Sequence, residues 1–441
     1  MQHNFEGLDR SGGFARVGLL RPLRSRNFRR LWVGMTVSLI GDGIFLIAMT
    51  WVAYQLWNAP AALSVLGIAM TVPMIVGLLA GGVVSDRFER RLVMLWSDVI
   101  RGVALAVLAM LSLTHTLTYA ELAGIVAVYG AGTAFFTPAF ESIVPELIKT
   151  EEFAQANALD QFVRPLALRL VGPTLGGWLV VSFGGGIAFA VDAVTFFASS
   201  AAVLSMSRSA ASRRPAGISP LQTVADGFRF VRRNAWLWGT LASAAIAYLA
   251  FLGPTETLLP YVLKNELHGS AGDLGIVFAA GGAGAIGAAA LMAQRRHPRR
   301  DVTFMYVCWA LATLAVAGYG LARSTVQLMV VCFVFNALEA AGTIVWATIK
   351  QRHVPLSLLG RVSSLDWLIS IALLPLSFAL TAPVAAALGA RTTLIYAGAI
   401  GAVVTLGAYF LPGMRSIERP PMQTPDESSP TSPHAPAASL H

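Results

Sequence analysis

Residues 62–91 read ALSVLGIAMTVPMIVGLLAGGVVSDRFERR. The first 23 of them, Ala62 to Val84, carry no charge, and the stretch then turns abruptly basic at Arg87, Arg90 and Arg91. An uncharged run of that length suits a helix crossing a hydrocarbon layer of roughly 30 Å, whereas a strand of a membrane barrel would alternate polar and apolar residues. The pattern recurs along the chain. Runs at 31–56, 92–114, 121–142, 161–182 and 185–206 complete a first six, and 236–262, 271–293, 302–322, 326–347, 362–387 and 391–412 form a second. Only Ser182-Phe183-Gly184-Gly185-Gly186 separates the fifth run from the sixth. Composition agrees, with 56% hydrophobic and 12% charged residues, about half the roughly 25% charged content of a soluble domain. The expected fold class is an all-α integral membrane protein of twelve transmembrane helices in two six-helix bundles.

A net charge of +9 raises the question of nucleic acid, and position answers it. Of 32 Lys and Arg residues, 26 fall in the two termini and in alternate loops, all on one side of the membrane. The opposite loops hold Lys264, Arg323 and Arg391, and Arg101, Arg164 and Arg169 lie within helical runs. By the positive-inside rule the expectation is a multi-pass protein of the cell (inner) membrane with both termini cytoplasmic. Nucleic-acid binders gather basic residues on one soluble face, so no nucleic-acid partner is expected. Cys308 and Cys332 both fall inside spans, where cysteine acts as a small apolar side chain. No metal site and no cofactor follow. The first apolar run is too long for a cleavable signal.

The expected organisation is a cytoplasmic N-terminal arm (1–30), an N-terminal bundle (31–206), a cytoplasmic linker (207–235), a C-terminal bundle (236–412) and a disordered tail (413–441). The linker reads as carrying an amphipathic surface helix around Leu221–Val231, and the tail is rich in Pro and Ser. A faint repeat supports the six-plus-six division. Gly82 followed by Arg90-Arg91 recurs 205 residues later as Gly287 followed by Arg295-Arg296, and Val144-Pro145 recurs 210 residues later as Val354-Pro355. Repeats of this kind build two bundles that rock around a midplane site.

The segment Gly82-Val83-Val84-Ser85-Asp86-Arg87-Phe88-Glu89-Arg90-Arg91 resembles the G-x-x-x-D-R-x-G-R-R signature of the major facilitator superfamily, with Glu89 in place of the usual glycine. The resemblance implies a conformational latch made of Gly82, Asp86, Arg87, Arg90 and Arg91, facing the helix that begins near Arg361 in the outward-facing state. Gly172-Pro173-Thr174-Leu175-Gly176-Gly177 is similar to the core of the antiporter motif of drug-exporting members. There Gly172 and Gly176 have the spacing that lets helices approach closely, Pro173 favours a bend, and helix 8 is the expected partner of Gly172, Pro173, Gly176 and Gly177. Other stretches, among them Gly41-Asp42, Asp98-x-x-Arg101, Asp192-Ala193-Val194-Thr195-Phe196 and Gly360-Arg361-Val362, resemble the branch of siderophore exporters and macrolide or tetracycline efflux proteins. Many proton antiporters carry an arginine in helix 4 where this chain has Val126, so no proton route through that arginine is expected.

Ionisable groups at mid-membrane depth usually face the protein interior. Asp42 and Glu256 occupy corresponding first helices of the two halves, Glu256 just after Gly253-Pro254, and are the candidates for proton coupling. Glu339 and Asn336, with the aromatics Phe136 and Tyr248, are candidates for substrate binding. Asp98 and Arg101, at i and i+3, read as a structural ion pair, and Asp192 as a partner for helix 5 with its Arg164 and Arg169. No phosphate-binding loop and no nucleophile–base constellation occurs, so an enzyme is not expected. The expected function is a monomeric secondary transporter exporting a small amphipathic organic compound, drug or siderophore-like, in exchange for protons. Its partners would be the small-molecule substrate, protons and the lipid bilayer. An importer or facilitator of the same fold, and a non-transporting membrane sensor or assembly partner, are the alternatives.

Overall fold

The computed structural model describes residues 18–149, 152–207, 228–295 and 298–418, and within these the side chains of 79–87 and of a few other helix residues are not among the described. The expected surface helix around Leu221–Val231 falls mostly outside the described residues, as does the tail beyond 418; residues 228–233 are helical. The described residues hold twelve helices long and apolar enough to cross a membrane. They are α1 (Arg26–Leu56), α2 (Ala61–Arg87), α3 (Arg90–Leu113), α4 (Tyr119–Leu147), α5, α6 (Gly185–Leu204), α7 (Ala235–Asn265), α8 (Ala271–Gln294), α9 (Asp301–Leu321), α10 (Thr325–His353), α11 and α12 (Ala390–Tyr409). Two of them are broken. α5 consists of Phe153–Pro165, a π-helical turn Leu166–Val171, and Gly172–Phe183; α11 consists of Leu356–Ala372 and Leu374–Leu388. α5 therefore starts before the expected 161, because its first turns, with Gln155, Asn157 and Asp160, are amphipathic rather than apolar.

Local sequence sets the helix ends. Ser25, Thr118, Ser270 and Ser324 cap the N-termini of α1, α4, α8 and α10 with their hydroxyls, and Thr118–Glu121 and Ser270–Asp273 are full capping boxes. The tight turns from α5 to α6 and from α11 to α12 both pass through a glycine at positive φ, Gly184 (83°) and Gly389 (85°), a region costly for any residue with a Cβ. These two glycines are also 205 residues apart, the same offset as Gly82 and Gly287.

α1, α3 and α6 pack together, as do α2, α3 and α4; in the second half α8, α9 and α10 pack together and α9, α12 and α7 do likewise. The two halves touch chiefly through the outer pieces of the broken helices, Gly172–Phe183 against α8 and Leu374–Leu388 against α2. Those pieces lie at the end of the bundle remote from Gly18 and Glu418, the two ends of the described chain. At the Gly18 and Glu418 end the halves make little contact.

Candidate functional site

The break in α5 is written in its sequence: Pro165 and Pro173 each lack an N–H, and between them the Gly172 N–H reaches back five residues to the Ala167 carbonyl. The glycines that follow serve two different neighbours. A Cβ on Gly172 would stand 2.7 Å from the Gly43 Cα of α1, and one on Gly176 2.9 Å from the Ile44 Cα. A Cβ on Gly177 would instead meet the Ala271 carbonyl oxygen of α8 at 2.8 Å. Helix 8, expected as the motif's partner surface, meets part of it: Gly172 and Gly176 hold α5 to its own half, while Gly177 holds it to the other. Pro173 shares that role through its carbonyl, which lies against Gly275.

α7 runs unbroken from Ala235 to Asn265 and takes a side-chain contact on its backbone at mid-length. Ser377 Oγ of α11 accepts from the Gly253 N–H at 2.9 Å and donates to the Leu249 carbonyl at 2.8 Å. Those two groups stand i and i−4 in the helix, so the hydroxyl docks on the backbone ladder immediately before Pro254, which has no N–H to offer. Pro254 and Pro260 lie on either side of Glu256 in the same helix.

Below the contact of the two halves lies a cavity of about 3320 Å³. Its walls run from mid-membrane to the termini-bearing end, where Phe28, Arg90, Glu146, Lys350 and Arg361 surround the mouth. It stops short of the opposite end, lined no further along α1 than Met49 and no further along α7 than Leu259. The seal above it joins α1 to α7: Tyr54 Oη donates to the Thr257 carbonyl at 2.7 Å, Lys264 Nζ to the Tyr54 carbonyl at 2.8 Å, and Asn58 Nδ2 to Asn265 Oδ1 at 2.7 Å. Lys264 Nζ also lies 5.4 Å from the Trp51 ring centre.

Asp42, Glu256, Glu339, Asn336, Phe136 and Tyr248 all line this one cavity. Asp42 accepts a hydrogen bond from Tyr129 Oη of α4. Glu256 is exposed to the cavity, and no hydrogen bond or ion pair with a described residue is recorded for it. Glu339 accepts from Thr343 Oγ1 at 3.0 Å. Tyr248, Phe251 and Phe335 form a continuous aromatic wall, with ring centres 5.6 Å and 6.0 Å apart.

Behind Asp42 is a closed polar cluster. Arg101 Nη2 donates to Asp98 Oδ1 at 2.5 Å, Ser199 Oγ donates to Asp98 Oδ2 at 2.7 Å, and the guanidinium stacks 4.4 Å from Phe196 and 4.9 Å from Phe136. Asp192 was expected to meet the arginines of α5 and does not. It accepts from Thr195 Oγ1 at 3.0 Å and abuts Gly41, because α6 packs on α1 and α3 and α5 lies on another face. Arg164 pairs with Asp160 within α5 at 3.0 Å, and Arg169 reaches the other half, donating to Asn336 Oδ1 at 3.1 Å.

Of the expected latch, the side chains of Gly82, Asp86 and Arg87 lie outside the described residues. Arg90 pairs with Glu146 and donates to the Ser142 carbonyl at 3.0 Å, and Arg91 donates to the carbonyls of Val203 and Leu204 at 3.0 and 2.6 Å. Both arginines therefore tie α3 to α4 and α6. Sequence reasoning missed Tyr129, Arg169 and Ser377 as site residues. Arg169 was visible as a charge within a span, but a lone tyrosine or serine in an apolar helix carries no such signal.

Twelve helices long and apolar enough to span a membrane among the described residues, set in two halves around a central cavity, define a multi-pass membrane transporter. The model of the family described as transmembrane secretion effector matches residues 17–431, and the chain belongs to that family, within the major facilitator superfamily. Among curated proteins it is 26% identical to the multidrug efflux pump Tap of Mycolicibacterium fortuitum, over 86% of this chain and 94% of Tap. It is also 26% identical to the enterobactin exporter EntS of Citrobacter koseri, over 77% of this chain and 80% of EntS. Among solved structures, a bacterial homologue of the iron transporter ferroportin in the inward-facing state superposes with a TM-score of 0.62 at 16% identity, covering 88% of this chain and 99% of that one.

Proposed function

We propose that the protein is a monomeric secondary exporter of the inner membrane that expels a small amphipathic organic compound, drug or siderophore-like, in exchange for protons. The observation that carries this reading is the cavity. It is closed at one end, walled by aromatic rings, and receives one mid-membrane carboxylate from the first helix of each half, Asp42 and Glu256. In this reading the end bearing the termini is cytoplasmic, as the distribution of arginines supports, so the cavity loads from the cytoplasm. Protons arriving at Asp42 and Glu256 from the far side return the emptied cavity inward, and Gly82, Asp86 and Arg87 latch the outward-facing state. The export direction draws support from the glycine-rich core of α5 and from relatives named as an efflux pump and an exporter.

Everted vesicles test both elements. Imposing an acidic interior should drive uptake of an exported dye such as ethidium, and Asp42→Asn or Glu256→Gln should abolish dye-coupled proton release. Dye uptake that ignores the proton gradient removes the antiport; unaltered proton release in both variants removes these two carboxylates.

A further inference from the structure

The charges lining the cavity do not cancel. Arg164 is paired with Asp160, Lys350 with Asp366, and Arg90 with Glu146. Glu89, Arg91, Glu141 and Arg361 also line the cavity, nearer the helix ends that bear its mouth; deeper in, the described lining residues leave three carboxylates, Asp42, Glu256 and Glu339, against Arg169, which pairs with none of them. Glu256 and Glu339 belong to α7 and α10, the helices that also supply Tyr248, Phe251 and Phe335, and all five line the same cavity. Carboxylates and aromatic faces in one cavity recognise an organic cation, through charge and through the ring quadrupole.

Arg169 occupies an unusual place. It rides on the π-helical turn Leu166–Val171 of the first half, and since a helix advances about 100° per residue, the extra residue of such a turn redirects the side chains that follow it. Its guanidinium crosses the cavity roof to Asn336 Oδ1, one turn before Glu339 on the opposite half. No ion pair joins Arg169 to Glu256 or Glu339, so it sits beside the acids without neutralising them by contact.

We propose that the cavity selects organic cations and that Arg169 is its charge filter. In the empty protein this side chain supplies the positive charge beside the acidic wall and bridges the halves through Asn336. A cationic substrate seated at the carboxylates repels Arg169 and breaks its bridge to Asn336. An anionic compound of the same shape gains only Arg169 and meets three carboxylates. This inference rests on the transporter reading for the identity of the site and deepens it by naming the charge of the substrate.

The test uses two probes of nearly identical shape and opposite charge, tetraphenylphosphonium and tetraphenylborate. Equilibrium dialysis of the purified full-length protein in phosphatidylcholine nanodiscs, with each probe's partitioning into empty nanodiscs subtracted because the interfacial dipole potential favours the anion in lipid, measures their saturable affinities for the protein with no gradient present. The cation should bind about tenfold or more tightly than the anion, the scale of a unit charge about 10 Å away at an effective dielectric constant near 20. Arg169→Gln should tighten cation binding about tenfold by the same reasoning, Arg169→Lys should leave it near wild type, and Glu256→Gln and Glu339→Gln should each weaken it. Equal or tighter binding of tetraphenylborate overturns the proposal. So does an Arg169→Gln variant, folded by its thermal unfolding curve, whose cation affinity is unchanged or lower, and so does absence of saturable cation binding in wild type and Arg169→Gln alike. Because no gradient is involved, a protein that binds as expected but moves no protons loses the antiport reading and keeps the filter.

Discussion

Replacing Tyr54 by Phe and Lys264 by Met together should open the sealed end of the cavity. The first change removes the 2.7 Å hydrogen bond from Tyr54 Oη to the Thr257 carbonyl, a buried contact between α1 and α7. A neutral bond of this kind contributes about 0.5–1.5 kcal/mol net. The second removes the 2.8 Å bond from Lys264 Nζ to the Tyr54 carbonyl together with its approach to Trp51. Hydrogen bonds to a charged group contribute about 1.5–3 kcal/mol. Phe and Met preserve most of the apolar volume, so the variant keeps its packing while the seal loses about 2–4 kcal/mol, which multiplies the population opened at that end by roughly 30- to 700-fold. Spin labels at Thr116→Cys and Arg323→Cys, in the α3–α4 and α9–α10 loops, report the separation of the two halves there once the buried Cys308 and Cys332 are replaced by Ala. Double electron–electron resonance in nanodiscs should then reveal a longer-distance population that the unaltered seal lacks. Identical distance distributions with and without the two substitutions refute the assignment of these contacts as the seal.

Three other substitutions separate the roles of neighbouring residues. Gly177→Val should lengthen the same label distance, since its Cβ meets the Ala271 carbonyl of the opposite half, whereas Gly176→Val, directed at Ile44 within its own half, should lower thermal stability and leave the distance unchanged. Arg101→Met should destabilise the purified protein by about 3–5 kcal/mol, the usual consequence of leaving a buried charge unpaired, and adding Asp98→Asn should recover much of that loss in thermal unfolding. Ser377→Ala should accelerate hydrogen exchange at the Gly253 amide selectively, because the hydroxyl accepts from that amide; exchange as slow as in wild type refutes a protective role for this contact.

Hydrophobicity made the helices legible because a membrane span must be long and uncharged, and every span but the first, fifth and eleventh begins within two residues of where the runs of apolar residues place it. The inner half of α5 escaped that logic: Asn157 and Asp160 line the cavity rather than facing lipid. Asp42, Glu256 and Glu339 stood out because charge inside a span is rare, and all three line one cavity. Their surroundings were not legible. Tyr129 reaches Asp42 across 87 positions of sequence and Ser377 reaches Gly253 across 124, and no periodicity within a helix encodes contacts so distant. Asp192 was misplaced for a related reason, since opposite charges in two helices suggest a pair only if those helices are neighbours on the correct faces.

The breaks in α5 and α11 occupy equivalent helices of the two halves, and each separates an outer piece that touches the opposite half from an inner piece packed mainly into its own. A straight rod in either place would transmit any parting of the lower ends as leverage on the upper contact, and the upper contact would have to be strong enough to resist it. Interrupted rods decouple the two, so the mouth can widen around a bulky passenger while the roof stays shut. The tolerance of the mouth for passengers of different girth is then a property of two flexible joints, independent of the chemistry by which the walls recognise what enters.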